Sequence, residues 1–172
     1  MAPGLYWSLT AVLVAVLIVL AAWAYQTANR LDRLHVRYDL SWQALDAALA
    51  RRAVVARAVA ADARGGDPED GRLAARLAAL ADTAERAPRS AREACENELS
   101  TALARVDPST VPAALVAELA DAEARVLLAR RFHNDAVRDT LALRERRPVR
   151  WLRLGGRAAL PHYFEIAEPA QR

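Results

Sequence analysis

Few residues of this chain have the type and spacing that catalysis or metal binding requires. The three histidines, His35, His133 and His162, are scattered, and no H-x-x-x-H or H-E-x-x-H spacing brings two rings to one metal. Cys95 has no base near it in sequence that would activate its thiol. The sequence therefore predicts ordinary packed or surface histidines, a cysteine that is not a nucleophile, and no catalytic, metal or cofactor site.

The glycine pairs and the acidic loop predict turns and helix caps. Gly65-Gly66 and Gly155-Gly156 lack the G-x-G-x-x-G or GK[ST] context that cradles a phosphate. Residues 62–70 miss the spacing of a calcium loop, and Asp67 is better explained as the N-cap of a helix that begins with Pro68. A solvated helix face is predicted for Glu93, Glu96 and Glu98.

One stretch is a candidate for binding a partner: residues 144–157, RERRPVRWLRLGGR, with six arginines and one glutamate. Arginine interleaved with tryptophan suits anionic lipid headgroups, acidic proteins or nucleic acid. The favoured interpretation is plainer: cations that complement a helix C-terminus, followed by a packed tail. The candidate partner-binding residues are Arg144, Arg146, Arg147, Arg150, Trp151, Arg153 and Arg157.

The elements that would position this stretch begin with a membrane anchor. The first 29 residues carry no charged side chain, whereas charges are frequent from Arg30 on. Leu5 to Tyr25 supplies the roughly 20 apolar residues that a spanning helix needs. Trp7 and Trp23 would lie about 24 Å apart along the helix, near the spacing of two interfacial aromatic belts. A transmembrane anchor is predicted over residues 1–29.

Two other interpretations of the apolar segment remain open. Ala22-Trp23-Ala24 loosely fits a signal-peptide cleavage site, but no basic residue precedes Leu5 and the apolar run exceeds the usual length of about 7–15 residues. A buried helix of a soluble fold is the weaker alternative, because so small a domain rarely surrounds a helix on all sides. A retained anchor is favoured over both.

The charge on the two sides of the span predicts its orientation. Arg30, Arg33 and Arg37 lie within about 15 residues after it, and only the α-amino group precedes it. The positive-inside rule then predicts a single-pass protein of the bacterial inner membrane, with the N-terminus outside and the C-terminal domain in the cytoplasm. Reversed topology, with the domain facing the envelope, is the alternative.

Beyond the anchor, apolar residues recur at steps of three and four along three segments of similar length, 26–62, 68–106 and 111–147. Pro88 must kink or split the second segment. Short connections between helices of matching length predict antiparallel neighbours. The predicted all-α fold is an anchor over 1–29, an antiparallel bundle over 30–147 with three helices, or four if split at Pro88, and a basic, aromatic tail over 148–172.

Two further expectations follow from that topology. No breaker interrupts residues 5–62, so the span and the first bundle helix are predicted to form one rod of about 85 Å. If the second helix returns towards the membrane, the third ends at the far tip. The basic tail would then lie some 50 Å from the bilayer.

With this order of segments, the chain resembles the LemA family of bacterial membrane proteins. Leu31 to Arg52 is similar to the first helix of that family, with its L-x-R-R ending, and Glu96-Asn97-Glu98-Leu99 with Leu103 resembles its E-N-E-L-x-x-x-L stretch. Residues 131–139 (RFHNDAVRD) and the tail segment 161–165 (PHYFE) are similar to its Y-N-x-A-V-x-x-Y-N and P-x-x-F-E segments.

The chain departs from that family at several positions, as a divergent member would. Ala53-Val54 stands where the family has an isoleucine-proline turn, His133 where tyrosine is common, and Thr140 where a second aromatic is usual. The resemblance implies an antiparallel helical bundle on one membrane anchor. It does not imply an enzyme, because the family has no established catalytic activity.

Together these patterns predict a non-enzymatic, membrane-anchored helical interaction or scaffold protein. Its expected partners are the membrane, through Leu5 to Tyr25, and a protein partner or further copies of the chain, through the bundle. Contact of the basic tail with anionic lipid or nucleic acid is the less favoured expectation. The alternative function is a regulatory or accessory subunit of a membrane-associated enzyme complex.

Overall fold

The structure, a computed structural model, describes residues 3–62, 68–154, 156 and 159–166. All regular secondary structure in these ranges is helical, which confirms the predicted all-α class. The proposed cap at Asp67 and the turn at Gly65-Gly66 lie outside the described residues. The elements are α1 (Pro3–Asp62), α2 (Pro68–Arg86), α3 (Arg89–Leu103), a 3-10 turn (Pro108–Thr110), α4 (Ala113–Arg144) and α5 (Arg147–Trp151).

Helix α1 continues without a break through the change in composition at Arg30. No proline or glycine occurs between Leu5 and Asp62, so nothing in the sequence interrupts its backbone hydrogen bonds. The most apolar 18-residue window of α1 has a mean hydropathy of 2.3, and none of that window is buried. Among the described elements, α1 is the helix that is long and apolar enough to cross a membrane.

The second predicted helix is two helices, α2 and α3, which pack against each other. Pro88 is the N-cap of α3, with an extended backbone at φ −64° and ψ 158°, and Ala87 N–H donates back to Ala84 O at 3.2 Å. Proline cannot continue α2 because it has no N–H to donate. The chain therefore breaks at Ala87-Pro88, as the sequence allowed.

Contacts along α1 fix the directions of α3 and α4. On α3, Arg92 pairs with Asp46 and Glu96 pairs with Arg52, so residue numbers rise together and α3 runs parallel to α1. On α4, Glu118 pairs with Arg51, and His133 forms a hydrogen bond with Ser41, so α4 runs antiparallel to α1. Further along α4, Asp139 pairs with Arg37 at 3.0 Å, which continues the antiparallel register.

The chain divides into two compact units, and α1 and α4 contribute to both. The larger unit, residues 40–135 and 163–172, has an alanine-rich core in which Leu77 and Leu99 are fully buried. Alanine permits close helix approach but buries little apolar area per turn. The alanines of this core are Ala53, Ala56, Ala60, Ala81, Ala84 and Ala102.

The smaller unit, residues 1–39 and 136–162, has a core of three buried side chains, Leu31, Leu143 and Val149. Leu34 and Leu154 pack against them from the periphery. This core ties the charged part of α1 to the end of α4 and to α5, the segment that carries the arginines.

Candidate functional site

The arginine-rich segment is a short helix closed by a defined C-terminal turn. Leu154 N–H donates to Val149 O at 3.0 Å, and Arg153 N–H donates to Arg150 O at 3.2 Å. This pair of hydrogen bonds is the Schellman motif, and the accompanying apolar contact joins Leu154 to the cluster around Val149. The motif folds residues 149–154 into one tight cap on α5.

Arg153 occupies the left-handed position of that motif, with φ 50°. Glycine is the usual residue there because an L side chain costs roughly 1–2 kcal/mol in this conformation. An arginine at such a position adds one more cation to the segment at a cost in stability.

The segment buries its apolar side and exposes its charge. Val149 is buried against Leu31 and Leu143, and Arg144 donates to Ala159 O at 3.3 Å. The side chains of Arg146, Arg147, Arg150 and Arg153 are exposed. Trp151 is 92% exposed and the adjacent Leu152 is 56% exposed, so an apolar surface lies beside the cations. Arg157 lies outside the described residues.

An open groove of about 460 Å³ separates this segment from α1. One wall is the stretch of α1 at which the apolar segment gives way to charges, and the other is the end of α4 with the start of α5. The lining residues are Trp23, Gln26, Thr27, Asn29, Arg30 and Arg33 on one side and Leu143, Arg146 and Val149 on the other.

The expectation that the basic tail lies at a tip far from the apolar segment is wrong. Val149 packs on Leu31, and Arg146 lines the same groove as Trp23, the aromatic residue at the end of the apolar run. Within the smaller unit α4 runs antiparallel to α1, since Arg37 pairs with Asp139 and Leu31 packs with Leu143. The candidate residues lie instead where the apolar and charged parts of α1 meet.

Several arginines elsewhere in the described chain have carboxylate partners. Arg37, Arg51 and Arg125 pair with Asp139, Glu118 and Asp121. The hydrogen bond from Arg125 lowers the pKa of the Asp121 carboxyl and raises that of Arg125 itself. A hydrogen bond to Glu85 likewise raises the pKa of Arg57, which also pairs with Asp82.

The arginines around the groove differ in this respect. Among the described residues, Arg30, Arg33, Arg146, Arg147, Arg150 and Arg153 form no ion pair within 4.0 Å. Arginine presents a planar fork of donors that matches carboxylate and phosphate oxygens. This edge of the smaller unit is therefore a concentrated positive surface.

A buried ionic cluster in the larger unit was missed by sequence reasoning. Glu96 is fully buried, and its carboxylate lies 2.6 Å from Arg52 Nη2 and 3.2 Å from Arg92 Nε. Arg52 also donates to Ser100 Oγ at 3.1 Å, and Arg92 pairs with Asp46 at 3.0 Å. The predicted solvated face is wrong for Glu96, whereas Glu98 is exposed and Glu93 half-buried.

A second buried group surrounds Trp42. The His133 ring packs edge-on to Trp42 with centroids 5.6 Å apart, and a hydrogen bond of 3.1 Å joins its Nδ1 to Ser41 Oγ. Phe164 packs on Trp42 from the C-terminal segment, at 5.8 Å. His133 is thus a packed histidine, as the sequence predicted.

Asn134 holds that C-terminal segment on α4. Its side-chain amide donates to Phe164 O at 3.1 Å, and its Oδ1 accepts from Phe164 N–H at 2.9 Å. The arrangement is structural, because both partners are backbone groups. Within the part of the chain that the structure describes, no three His, Cys, Asp or Glu side chains converge in a metal-binding group.

No protein-family model matches the chain, and neither a curated protein nor a solved structure is significantly similar to it.

Proposed function

We propose that this chain is a non-enzymatic interaction protein, a helical bundle anchored in the bacterial inner membrane by the N-terminal part of α1. The observation that carries the proposal is the complete exposure of the apolar window of α1. A soluble core helix would be buried by its own chain, and leaving some 18 apolar residues in water is unfavourable. A lipid environment removes that cost.

Two features support a retained anchor over a cleaved signal peptide. Helix α1 passes without interruption through Ala22-Trp23-Ala24, and packing in the smaller unit begins only a few residues later, at Leu31. Trp23 also lines the groove beside Arg146, so cleavage after Ala24 would remove one of its lining side chains. The anchor is then a structural part of the folded chain.

The proposed orientation places the bundle in the cytoplasm. Arg30, Arg33 and Arg37 follow the span, and α5, which carries Arg147 and Arg150, packs through Val149 beside the same boundary. This adds cations to the side that the positive-inside rule assigns to the cytoplasm.

An interaction role is supported by the surface of the bundle. Leu128 and Phe132 are 54% and 58% exposed and lie one turn apart on α4, beside the exposed Leu127. The LemA resemblance belongs to the same proposal. Three residues of the resembling segments, Arg52, Glu96 and Asn134, make polar side-chain contacts within the fold.

Membrane fractionation with matched arginine variants tests the anchor. Leu13→Arg with Leu17→Arg places two charges in the span, at a cost of about 2.5–3.5 kcal/mol each near the bilayer centre. We expect this variant to leave the carbonate-resistant membrane fraction. Val36→Arg with Leu40→Arg, at two exposed positions of α1 beyond Arg30, should remain there. Release of the wild-type chain, or equal behaviour of the two variants, would contradict the anchor.

Three further measurements test the rest of the proposal. Intact mass distinguishes the retained segment from one cleaved after Ala24. Proteolysis of intact cells should spare the C-terminal domain, and its digestion there would reverse the orientation. A pull-down from detergent-solubilised membranes should recover a partner that does not form part of an enzyme. Stoichiometric recovery of an enzyme subunit would favour the accessory-subunit alternative.

A further inference from the structure

The groove beside Trp23 combines arginines that lack carboxylate partners among the described residues, an apolar lining and exposed apolar side chains nearby. Arg30, Arg33 and Arg146 line it, and the part of the chain that the structure describes supplies no carboxylate within ion-pair distance of them. Leu143 and Val149 supply apolar lining on the side opposite α1. Trp151 and Leu152, exposed on the neighbouring α5, add apolar surface beside the cations.

We infer that this groove binds the headgroup of an anionic phospholipid, with Arg30, Arg33 and Arg146 contacting the phosphate and Trp151 lying in the interfacial region. The inference rests on the proposed membrane anchor. It goes beyond that anchor because it assigns a lipid class and a set of ligand residues to one place on the chain.

Position along α1 favours a lipid as the occupant. Trp23 marks the end of the apolar run, and Arg30 and Arg33 follow it by about 10–15 Å along the helix axis. The headgroup layer of an anchored chain lies at that depth, since it begins where the hydrocarbon ends. The groove is thus open to the bilayer surface and lined with cations at the level of the lipid phosphates.

The chemistry of the lining favours an anionic lipid. The guanidinium fork matches phosphate oxygens in a bidentate manner, and each arginine near a charged bilayer surface contributes about a fivefold gain in binding. An exposed tryptophan beside arginines is the composition typical of interfacial segments.

Nucleic acid is the competing occupant of a basic surface. A nucleic-acid site would require the cations to face the aqueous phase away from the bilayer, whereas the groove includes Trp23 at the end of the apolar segment. Its apolar lining includes Leu143 and Val149, and the described lining residues include one aromatic side chain, Trp23, rather than a pair between which a base could stack. The lipid is therefore the occupant we propose.

The test uses the full chain, purified in an uncharged detergent and titrated calorimetrically with short-chain phosphatidylglycerol. We expect saturable binding that short-chain phosphatidylcholine and inorganic phosphate do not reproduce. The triple variant Arg30→Gln, Arg33→Gln and Arg146→Gln should bind phosphatidylglycerol at least about tenfold more weakly. These side chains are exposed and glutamine has a helix propensity similar to that of arginine, so circular dichroism should remain unchanged.

The matched control removes the same charge from the larger unit: Arg72→Gln, Arg105→Gln and Arg131→Gln, all at exposed positions. It should bind phosphatidylglycerol as the wild type does. Equal weakening by both triple variants would overturn the site in favour of net charge alone. Binding of a single-stranded oligonucleotide more tightly than phosphatidylglycerol would overturn it in favour of nucleic acid.

Carbonate extraction separates the failure of this inference from the failure of the anchor. A wild-type chain that resists extraction but does not distinguish phosphatidylglycerol from phosphatidylcholine refutes the lipid site and leaves the anchor standing. A wild-type chain released by carbonate refutes the anchor, and the lipid site with it.

Discussion

Replacing Glu96 by glutamine should be among the most destabilising single substitutions in the chain. The carboxylate is fully buried between Arg52 and Arg92, at 2.6 and 3.2 Å. Glutamine has nearly the same shape, so it leaves no cavity. It removes the negative charge and turns one acceptor into a donor that faces a guanidinium.

The magnitude follows from the charges that remain. Each ion pair contributes about 4 kcal/mol of attraction at an effective dielectric constant of 20 and a charge separation of about 4 Å. Removing three ions from water costs several kcal/mol each, so the intact cluster contributes little net stability. Glu96→Gln keeps the cost of burying two cations and removes the carboxylate that they share, which leaves Arg92 only the partly exposed Asp46. This change should lower the free energy of unfolding by about 3–5 kcal/mol.

Thermal unfolding of the full chain in detergent, followed by circular dichroism, measures the effect. A loss of 3–5 kcal/mol lowers the midpoint by roughly 10 °C for a chain of this size. Glu98→Gln, at an exposed position on the same helix, is the control and should change the midpoint by less than about 2 °C.

A compensated variant tests the electrostatic reasoning directly. Replacing Arg52, Glu96 and Arg92 together by methionine removes all three buried charges and keeps similar volume, so it should restore most of the lost stability. The reasoning is refuted if Glu96→Gln unfolds within about 1 kcal/mol of the wild type. It is also refuted if the triple methionine variant is less stable than Glu96→Gln.

Three further substitutions have defined outcomes. Asn134→Ala removes both hydrogen bonds to Phe164 and should lower the free energy of unfolding by about 1–3 kcal/mol. Hydrogen exchange at the Phe164 amide should become faster. The control Gln43→Ala, at an exposed position of α1, should leave that amide protected. Arg153→Gly relieves the left-handed backbone at φ 50° and should raise the unfolding midpoint by about 2–4 °C, whereas Arg150→Gly inside α5 should lower it. Hydrogen bonds from the backbone and side chain of Ser109 lower the pKa of the Asp107 carboxyl below its ordinary 3.8. The ionised carboxylate therefore contributes to stability above pH 3.8, and this contribution is lost as the pH falls through the lowered pKa. Asp107→Asn should remove that part of the acid dependence, and an NMR titration of the Asp107 carboxyl that shows a pKa at or above 3.8 would contradict the assignment.

The continuity of α1 could be predicted from sequence because it depends on local chemistry. A helix persists where no residue breaks its hydrogen bonds, and residues 5–62 contain neither proline nor glycine. The break at Pro88 was predictable for the same reason. Its consequence for chain direction was not, because proline ends a helix without fixing the angle at which the next one leaves.

The groove beside Arg146 and the buried cluster around Glu96 could not be predicted, because both depend on helix directions and on residues far away in sequence. The position of Arg146 beside Trp23 follows from the direction of α4, which depends on contacts between residues far apart in sequence, such as Arg37 with Asp139. The burial of Glu96 depends on Arg52, which lies 44 residues earlier. Its spacing from Leu99 and Leu103, at three and seven residues, places it on the apolar stripe and was the one local signal of burial.

The register of α1 against α4 also determines the order in which the smaller unit is assembled. Arg37 and Asp139 are 102 positions apart, so at about 5–20 residues per second the ribosome adds the second roughly 5–20 s after the first. During that interval the apolar start of α1 is already available for insertion, while the partners of Leu31 have not been made. In the proposed membrane-anchored chain, the groove would therefore close beside a bilayer surface that is already present, so its arginines would meet lipid while the smaller unit is still folding.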